Sequence, residues 1–213
     1  MRKSIRSFTP EIVPLDVVQS VVLGANRAPS SKNTQPWKLI LVQGEALEKL
    51  RFDYIAAFNN GKPSTPEYVY GPDPLPEAYK KRAVELGKAF LTHKGIARED
   101  KEKRREHDGE NYKFFGAKQV FFLAVNKGEF GYGTFLDCGL FFQALITELD
   151  NRGLGSCPQY SVMSYPDILH KHIPNSDDLL FLLALPFGYT NKESIANSFV
   201  TEREGLDSFF RVI

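Results

Sequence analysis

The sequence predicts a single α+β domain over residues 1–213. The chain is long enough to enclose a sizeable core, and its composition, 42% hydrophobic and 25% charged residues, is that of an ordinary globular protein. Apolar residues recur at spacings of three and four in several segments, which favours helices. Other segments are short continuous apolar runs, which favours buried strands.

The first helix is predicted to begin at Pro14, because proline is tolerated at the first helical position. Its apolar stripe consists of Leu15, Val18, Val22 and Ala25. A buried strand is then predicted over 38–43 and a helical turn over 45–51. The segment 59–76 is rich in glycine and proline and is predicted to be a long loop of functional importance.

A second amphipathic helix is marked by Tyr79, Ala83, Leu86 and Phe90. Buried strands are predicted over 119–126 and 179–185, where apolar residues are nearly continuous. A C-terminal arm over 190–213 follows, and it ends in apolar residues that need a burial partner on this domain or on a neighbour.

The helix between these two strands is predicted to be central. It is apolar on most sides, so it should be covered by other elements. Thr134 and Asp137 resemble a capping box with aspartate in place of glutamate, which predicts a start at Thr134 and an end near Arg152.

Charge and composition exclude several classes of protein. The net charge is only +1, which gives no overall field for nucleic acid or acidic membranes. The basic cluster within 98–110 alternates with acidic residues and is predicted to be a solvated helix face. No apolar run has the length of a membrane span, the N-terminus lacks the apolar stretch of a signal peptide, and two cysteines suit a reducing cytoplasm.

Other motifs do not support a competing chemistry. Gly131 and Gly133 follow a strand, but Leu136 stands where a dinucleotide-binding fingerprint needs its third glycine. The four histidines lack partners at ligand spacing, so no metal site is predicted. No G-x-S-x-G nucleophile elbow is present.

The segment Pro29–Trp37 reads P-S-S-K-N-T-Q-P-W. Two prolines restrict the backbone of a loop that displays hydroxyl and amide side chains. Such a loop suits a flat ligand rich in heteroatoms, and it is also compatible with an ordinary helix-to-strand turn. The loop alone leaves both interpretations open.

Several motifs in order resemble the FMN-dependent nitroreductase family, in the branch that includes nitrobenzoate reductases. They are R-K-S-I-R at 2–6, A-P-S-S-K-N-T-Q-P-W at 28–37, F-F-G-A at 114–117, G-L-G-S-C-P-Q at 153–159, P-F-G-Y at 186–189 and T-E-R-E at 201–204. The resemblance implies a three-layer α-β-α sandwich with a mixed central sheet and an interlocked homodimer with FMN at the interface.

The resemblance also implies the FMN-binding residues. Arg2 and Ser4 are expected to contact the phosphate with Lys3 beside them, and Arg203 is expected to close the same site. Guanidinium groups match phosphate with paired charge-assisted hydrogen bonds. Arg6 is expected to lie against the pyrimidine edge of the flavin.

Two loops complete the implied site. The residues expected to reach FMN from the partner subunit are Pro29, Ser30, Ser31 and Asn33. The residues expected to cover the flavin and offer a backbone N–H to its N5 atom are Pro158, Gln159 and Tyr160. The resemblance implies small residues such as alanine at the positions of Tyr160 and Ser161, so this tyrosine is expected to narrow the pocket or to stack on an aromatic ligand.

The implied reaction needs no catalytic side chain, because the cofactor carries the chemistry. NAD(P)H is expected to reduce the flavin and then leave, and a nitroaromatic or quinone-like acceptor is expected to take its place in a ping-pong cycle. The alternatives are a flavoenzyme of the same fold with another redox task, such as enone reduction, reductive dehalogenation or azoline oxidation, and a flavin-binding module without turnover.

Overall fold

Four strands form one sheet in the order β1-β2-β4-β3 in the computed structural model, which describes residues 2–129 and 131–213. The strands are β1 (Lys38–Gln43), β2 (Gln119–Asn126), β3 (Leu154–Ser156) and β4 (Leu179–Tyr189). The helices are α1 (Leu15–Ala25), α2 (Gly44–Asn59), α3 (Glu77–His93), α4 (Lys101–Gly109), α5 (Tyr132–Asn151), α6 (Pro166–His172) and α7 (Ile195–Ser198).

The side chains of β2 alternate between two cores, as the period of a strand requires. Phe121, Leu123 and Val125 pack in a cluster with α1 and α5. Val120 and Phe122 pack on the other face of the sheet in a cluster with α2 and α6. Helices therefore cover both faces, which confirms the three-layer α-β-α sandwich.

The sheet departs from the expected mixed pattern. All three strand pairings, β1 with β2, β2 with β4 and β3 with β4, are antiparallel. The parallel contribution is a single bridge between Ser4 and Ser156, where the N-terminal segment runs beside β3. This segment contributes one bridge rather than a strand, so the sheet is nearly wholly antiparallel.

The helix after β1 is longer than predicted. It continues to Asn59 instead of ending near 51, because Leu47, Leu50, Tyr54 and Ala57 extend one buried stripe at helical spacing. The long loop is correspondingly confined to 60–76. β4 also continues past the predicted end at 185, up to Tyr189.

The predicted capping box is wrong. α5 begins at Tyr132, two residues before the predicted start, and Gly131 at its N-cap makes no side-chain cap. The hydroxyl of Thr134 donates to the Glu129 carbonyl oxygen at 3.1 Å. Asp137 is therefore free to accept a hydrogen bond from a different part of the chain, described below.

α3 and the C-terminal arm are in contact with each other. The rings of Phe90 and Phe199 are 5.0 Å apart, and Arg82 forms an ion pair with Glu204 at 2.7 Å. Of the stripe predicted for α3, Phe90 is buried, whereas Tyr79 and Leu86 are exposed. The end of the arm, 209–213, is also exposed.

None of the helices in residues 2–129 and 131–213 combines the length and the apolar character that crossing a bilayer requires.

Candidate functional site

The N-terminal segment lies against β3, and a glycine permits the close approach. The amide of Ile5 donates to the Ser156 carbonyl oxygen at 2.9 Å. A Cβ atom at Gly155 would stand 2.6 Å from Thr190 Oγ1 and 2.7 Å from Ile5 Cγ1. Any side chain at this position would push the segment away from the sheet.

The predicted phosphate ligands come together around a buried thiol. Burial raises the pKa of the Cys157 thiol. Three neighbours oppose this and lower the pKa: the charge of Arg6, a hydrogen bond with Ser4 and the charge of Arg2. These three side chains therefore reach the same side of the segment. Lys3 is directed elsewhere, because its ammonium donates to the backbone carbonyl of Asn197.

Arg2 and Arg6 are cations without an anionic partner. Within the part of the chain that the structure describes, neither guanidinium lies within 4 Å of a carboxylate oxygen. The Arg6 amide donates to Asn197 Oδ1 at 2.7 Å, and its guanidinium carbon lies 4.8 Å from the centre of the Phe90 ring. Two uncompensated charges beside one another are what an anion-binding site requires.

Asn197 positions this segment and was not found from the sequence. It is buried, and its Nδ2 donates to the carbonyl oxygens of Ser7 and Asn191, both at 2.8 Å. No local motif marks an asparagine that joins Asn191, six residues before it, to Arg6 and Ser7, about 190 residues before it.

The loop after β3 offers one free backbone donor among the three residues predicted to contact N5. Pro158 has no N–H, and the Gln159 amide donates to the Ala184 carbonyl oxygen at 2.8 Å. The Tyr160 amide has no acceptor among residues 2–129 and 131–213. The expected N5 contact is thereby narrowed to Tyr160.

The Tyr160 side chain holds the tip of the 60–76 loop. Its ring is stacked on Tyr70 with centroids 4.3 Å apart and meets Tyr68 edge-on at 5.6 Å. Its hydroxyl donates to the Tyr68 carbonyl oxygen at 3.1 Å, and the Tyr68 hydroxyl donates to the Leu182 carbonyl. An aromatic surface therefore flanks the free amide.

The 29–37 loop is strained and anchored. Lys32, Asn33 and Gln35 have φ values of 50°, 59° and 47°, in the left-handed region that non-glycine residues rarely adopt. The Ser31 amide donates to Asp137 Oδ2 at 3.1 Å, and Ser30 Oγ accepts from the Gln35 amide at 3.0 Å. Such geometry favours the functional interpretation of the loop over an ordinary turn.

This loop lies at the far end of α5 from Arg2. The loop is tied to Asp137 near the start of α5, whereas Arg2 and Asp150 line one cavity of about 310 Å³ near its end. Thirteen residues of helix separate the two aspartates, or about 20 Å at 1.5 Å per residue. Ser30, Ser31 and Asn33 therefore lie near the opposite end of α5 from Arg2; Pro29 is exposed beside them.

Arg203 bonds to its own neighbours in the C-terminal arm. Its guanidinium bonds to Thr201 Oγ1 at 2.5 Å and to the Glu202 carbonyl oxygen at 2.8 Å. Its role at the phosphate remains a prediction.

The F-F-G segment has a backbone that the sequence did not reveal. Phe114, Phe115 and Gly116 have φ values of 52°, 54° and 78°. Arg51 holds both flanks of this turn, donating to the carbonyl oxygens of Lys113 at 3.0 Å and Ala117 at 2.7 Å. The turn delivers Phe115 to the small apolar cluster that contains Ile5 and Cys157.

Among the described residues, no three or more His, Cys, Asp or Glu side chains are grouped so as to hold a metal ion.

Comparison with known proteins gives concordant matches over most of the chain. The model of the Nitroreductase family matches residues 1–189. A 4-nitrobenzoate reductase of Pseudomonas putida is 28% identical, over 98% of this chain and 90% of that protein. A crystal structure of the FMN- and NADPH-dependent nitroreductase NfnB from Sphigopyxis sp. strain HMH has a TM-score of 0.93 and 30% identity, covering 100% of this chain and 95% of that one. A crystal structure of the FMN-dependent nitroreductase NfnB from Mycobacterium smegmatis in complex with NADPH also has a TM-score of 0.93. It is 26% identical and covers 100% of this chain and 94% of that one.

Proposed function

The chain belongs to the Nitroreductase family, and from this premise we propose that it is an FMN-dependent NAD(P)H oxidoreductase that reduces nitroaromatic or quinone-like acceptors. The observation that carries the proposal is the pair of unneutralised guanidinium groups, Arg2 and Arg6, which both act on Cys157, three residues before the free amide of Tyr160. We assign the activity to one domain over residues 1–213 and to the cytoplasm, which suits its two free cysteines.

The residues present fit FMN. Arg2 and the Ser4 hydroxyl supply donors for a phosphate, and the Arg6 guanidinium supplies a charge for the flavin ring. The Tyr160 amide supplies a donor for N5. Held by these residues, FMN would supply the chemistry for hydride transfer from NAD(P)H to the acceptor, and the use of one slot by both would give ping-pong kinetics.

The aromatic surface indicates the class of acceptor. Tyr70 and Tyr160 present stacked rings beside the amide assigned to N5. Flat aromatic molecules bind such surfaces by offset stacking or edge-to-face contact. This favours nitroaromatics and quinones over aliphatic acceptors, in keeping with the relatives that are nitrobenzoate reductases.

A homodimer completes the site. Tyr132, Leu136 and Leu140 are exposed on one side of α5 at spacings of four, and Leu136 is 66% exposed. An uncovered apolar stripe of this kind is typical of an obligate interface. The 29–37 loop and Arg2 lie near opposite ends of α5, about 20 Å apart along the helix, which supports the proposal that the loop serves the partner's FMN rather than its own.

The visible absorption spectrum of the purified protein tests the proposal first. We expect a yellow protein that releases FMN on denaturation, near one per chain. Oxidation of NADH or NADPH with a nitroaromatic acceptor should then exceed the rate given by free FMN. A protein that binds FMN without exceeding that rate is a flavin-binding module, and one that neither contains nor takes up FMN is not a flavoenzyme.

A further inference from the structure

Basic side chains from three elements surround the Phe90 ring. The guanidinium carbon of Arg6 lies 4.8 Å from the ring centroid and the ammonium of Lys94 lies 5.9 Å from it. The ring of His107 meets Phe90 edge-on at 5.4 Å. Lys94 directly follows α3 and His107 lies on α4, so the cluster joins both helices to the N-terminal segment.

Lys94 resembles Arg6 in having no anionic partner. No carboxylate oxygen of the described chain lies within 4 Å of its ammonium. Glu110 acts on Lys94 electrostatically, but its carboxylate forms an ion pair with Lys113 at 2.8 Å. The positive charge of Lys94 is therefore available to pair with an anionic group of a ligand.

His107 holds Lys94 in place without neutralising it. Lys94 Nζ lies 3.0 Å from His107 Nδ1. A protonated lysine only donates, so the Nδ1 atom accepts, and the imidazole is neutral with its proton on Nε2. The surroundings of His107 also favour the neutral imidazole. Its pKa is lowered mainly by burial and also by the charges of Lys94 and Arg6, while Asp108 and Glu110 act in the opposite direction.

Keeping Lys94 here costs stability. The side chain is half-buried, and burial is the main cause that lowers its pKa, with Arg6 contributing and Glu110 opposing. A desolvated cation beside a second cation is unfavourable unless a ligand supplies the missing charge. Perturbed groups of this kind gather at functional sites.

We propose that Lys94 is a further residue of the flavin-binding site, that its ammonium contacts an anionic group of bound FMN, and that His107 is the positioning residue that aims it. This inference rests on the proposed function and extends it beyond the residues that the sequence motifs indicate. The anionic group is the phosphate or the edge of the ring that gains negative charge on reduction, and the test separates the two.

The experiment compares Lys94→Met with the wild type by fluorescence titration with FMN and with riboflavin, and by spectroelectrochemistry. A hydrogen bond to a charged group contributes about 1.5–3 kcal/mol, so the Kd for FMN should rise about 10- to 100-fold if the phosphate is the partner, with riboflavin unaffected. If the ring is the partner, the midpoint potential should fall by about 30 mV for each tenfold loss of preference for the reduced form. Lys101→Met is the matched control, since Lys101 is exposed on α4, and it should change neither quantity.

A second pair of variants tests the positioning role. The His107→Asn substitution places an oxygen acceptor close to the position of Nδ1. The His107→Leu substitution introduces a side chain of the same size as asparagine but without an acceptor. His107→Asn should keep the FMN affinity and the potential, and His107→Leu should change them in the same direction as Lys94→Met. A purely structural role predicts equal effects for Asn and Leu.

The outcomes separate this inference from the proposed function. A wild-type protein that does not bind FMN overturns the proposed function itself. Only the inference is overturned if the wild type binds FMN, the Arg2→Ala variant does not, and Lys94→Met has the same Kd and midpoint potential as the wild type. If Lys94→Met does not fold, Lys94→Gln is compared with Lys94→Arg, and equal Kd and potential in these two variants likewise overturn it.

Discussion

The amide of Ser31 and the buried carboxylate of Asp137 join two elements that are 106 residues apart, at a nitrogen-to-oxygen distance of 3.1 Å. This contact fixes a loop in which three non-glycine residues adopt left-handed backbone conformations. The start of α5 is thus the support on which the 29–37 loop is built.

Removal of the Asp137 carboxylate should release this loop. We expect Asp137→Ala to lower the free energy of unfolding by about 1.5–3 kcal/mol, because a charge-assisted hydrogen bond is lost, and to weaken FMN binding. Urea denaturation and FMN titration measure the two effects. Asp137→Asn retains an acceptor oxygen and should be milder; equal losses in both variants would show that the hydrogen bond to Ser31 is not what anchors the loop.

A side chain at Gly155 should displace the N-terminal segment. Gly155→Ala places a Cβ within 2.7 Å of both Ile5 and Thr190, and we expect it to cost about 1–3 kcal/mol of stability and to raise the Kd for FMN. Gly87→Ala is the control, since no neighbouring atom lies within 4 Å in the exposed middle of α3 and alanine favours a helix. Normal FMN affinity in Gly155→Ala would contradict the role given to Arg2 and Ser4.

The ring of Tyr160 should govern acceptor binding. We expect Tyr160→Ala to raise KM for a nitroaromatic about tenfold, because an aromatic contact contributes about 0.5–1.5 kcal/mol and the stacked Tyr70 also loses its support. Tyr160→Phe keeps the ring and loses only the hydrogen bond to Tyr68. Steady-state kinetics with one acceptor should therefore rank Phe near the wild type; a rank order in which Phe resembles Ala would assign the effect to the hydroxyl.

The neutral state of His107 predicts a pH dependence of stability. Its folded pKa is lowered from 6.5, so the unfolded chain binds the proton more readily. The stabilisation is therefore complete above pH 6.5 and is lost as the pH falls through the folded pKa. Urea unfolding of the FMN-free protein between pH 7.5 and 5.0 should show this loss in the wild type and a smaller one in His107→Asn, and parallel curves for the two proteins would refute it.

A charge on the exposed side of α5 should separate the subunits. Leu136→Glu places a carboxylate in an apolar interface, so we expect monomers by light scattering, together with loss of FMN. Phe52→Glu is a matched control, because Phe52 is an apolar residue of α2 that is 72% exposed on the other side of the sheet. A dimeric Leu136→Glu protein would place the interface elsewhere.

The strands and the main helices were predictable because their signals are local. The strands over 38–43 and 119–126 have the predicted bounds, since each is a continuous apolar run between polar residues. The start of α5 was misplaced because Thr134 and Asp137 have the spacing of a capping box without its geometry.

The motifs located the candidate site but not its supports. Asn197, Asp137 and the Lys94–His107 pair act through contacts between separate elements of the fold, and a single sequence contains no sign of these. The left-handed backbone of Phe114 and Phe115 is equally hidden, because phenylalanine has no local preference for it and the hydrogen bonds to the flanking carbonyl oxygens come from Arg51 on α2.

The length of α5 has a consequence for genetics. A polypeptide damaged in the 29–37 loop still carries an intact Arg2 segment, and one damaged at Arg2 still carries an intact loop. Coexpression of two such inactive alleles should yield mixed dimers. In these dimers one of the two sites combines the intact Arg2 segment of one polypeptide with the intact 29–37 loop of the other. Defects at opposite ends of this helix are therefore expected to complement each other, whereas two defects at the same end are not.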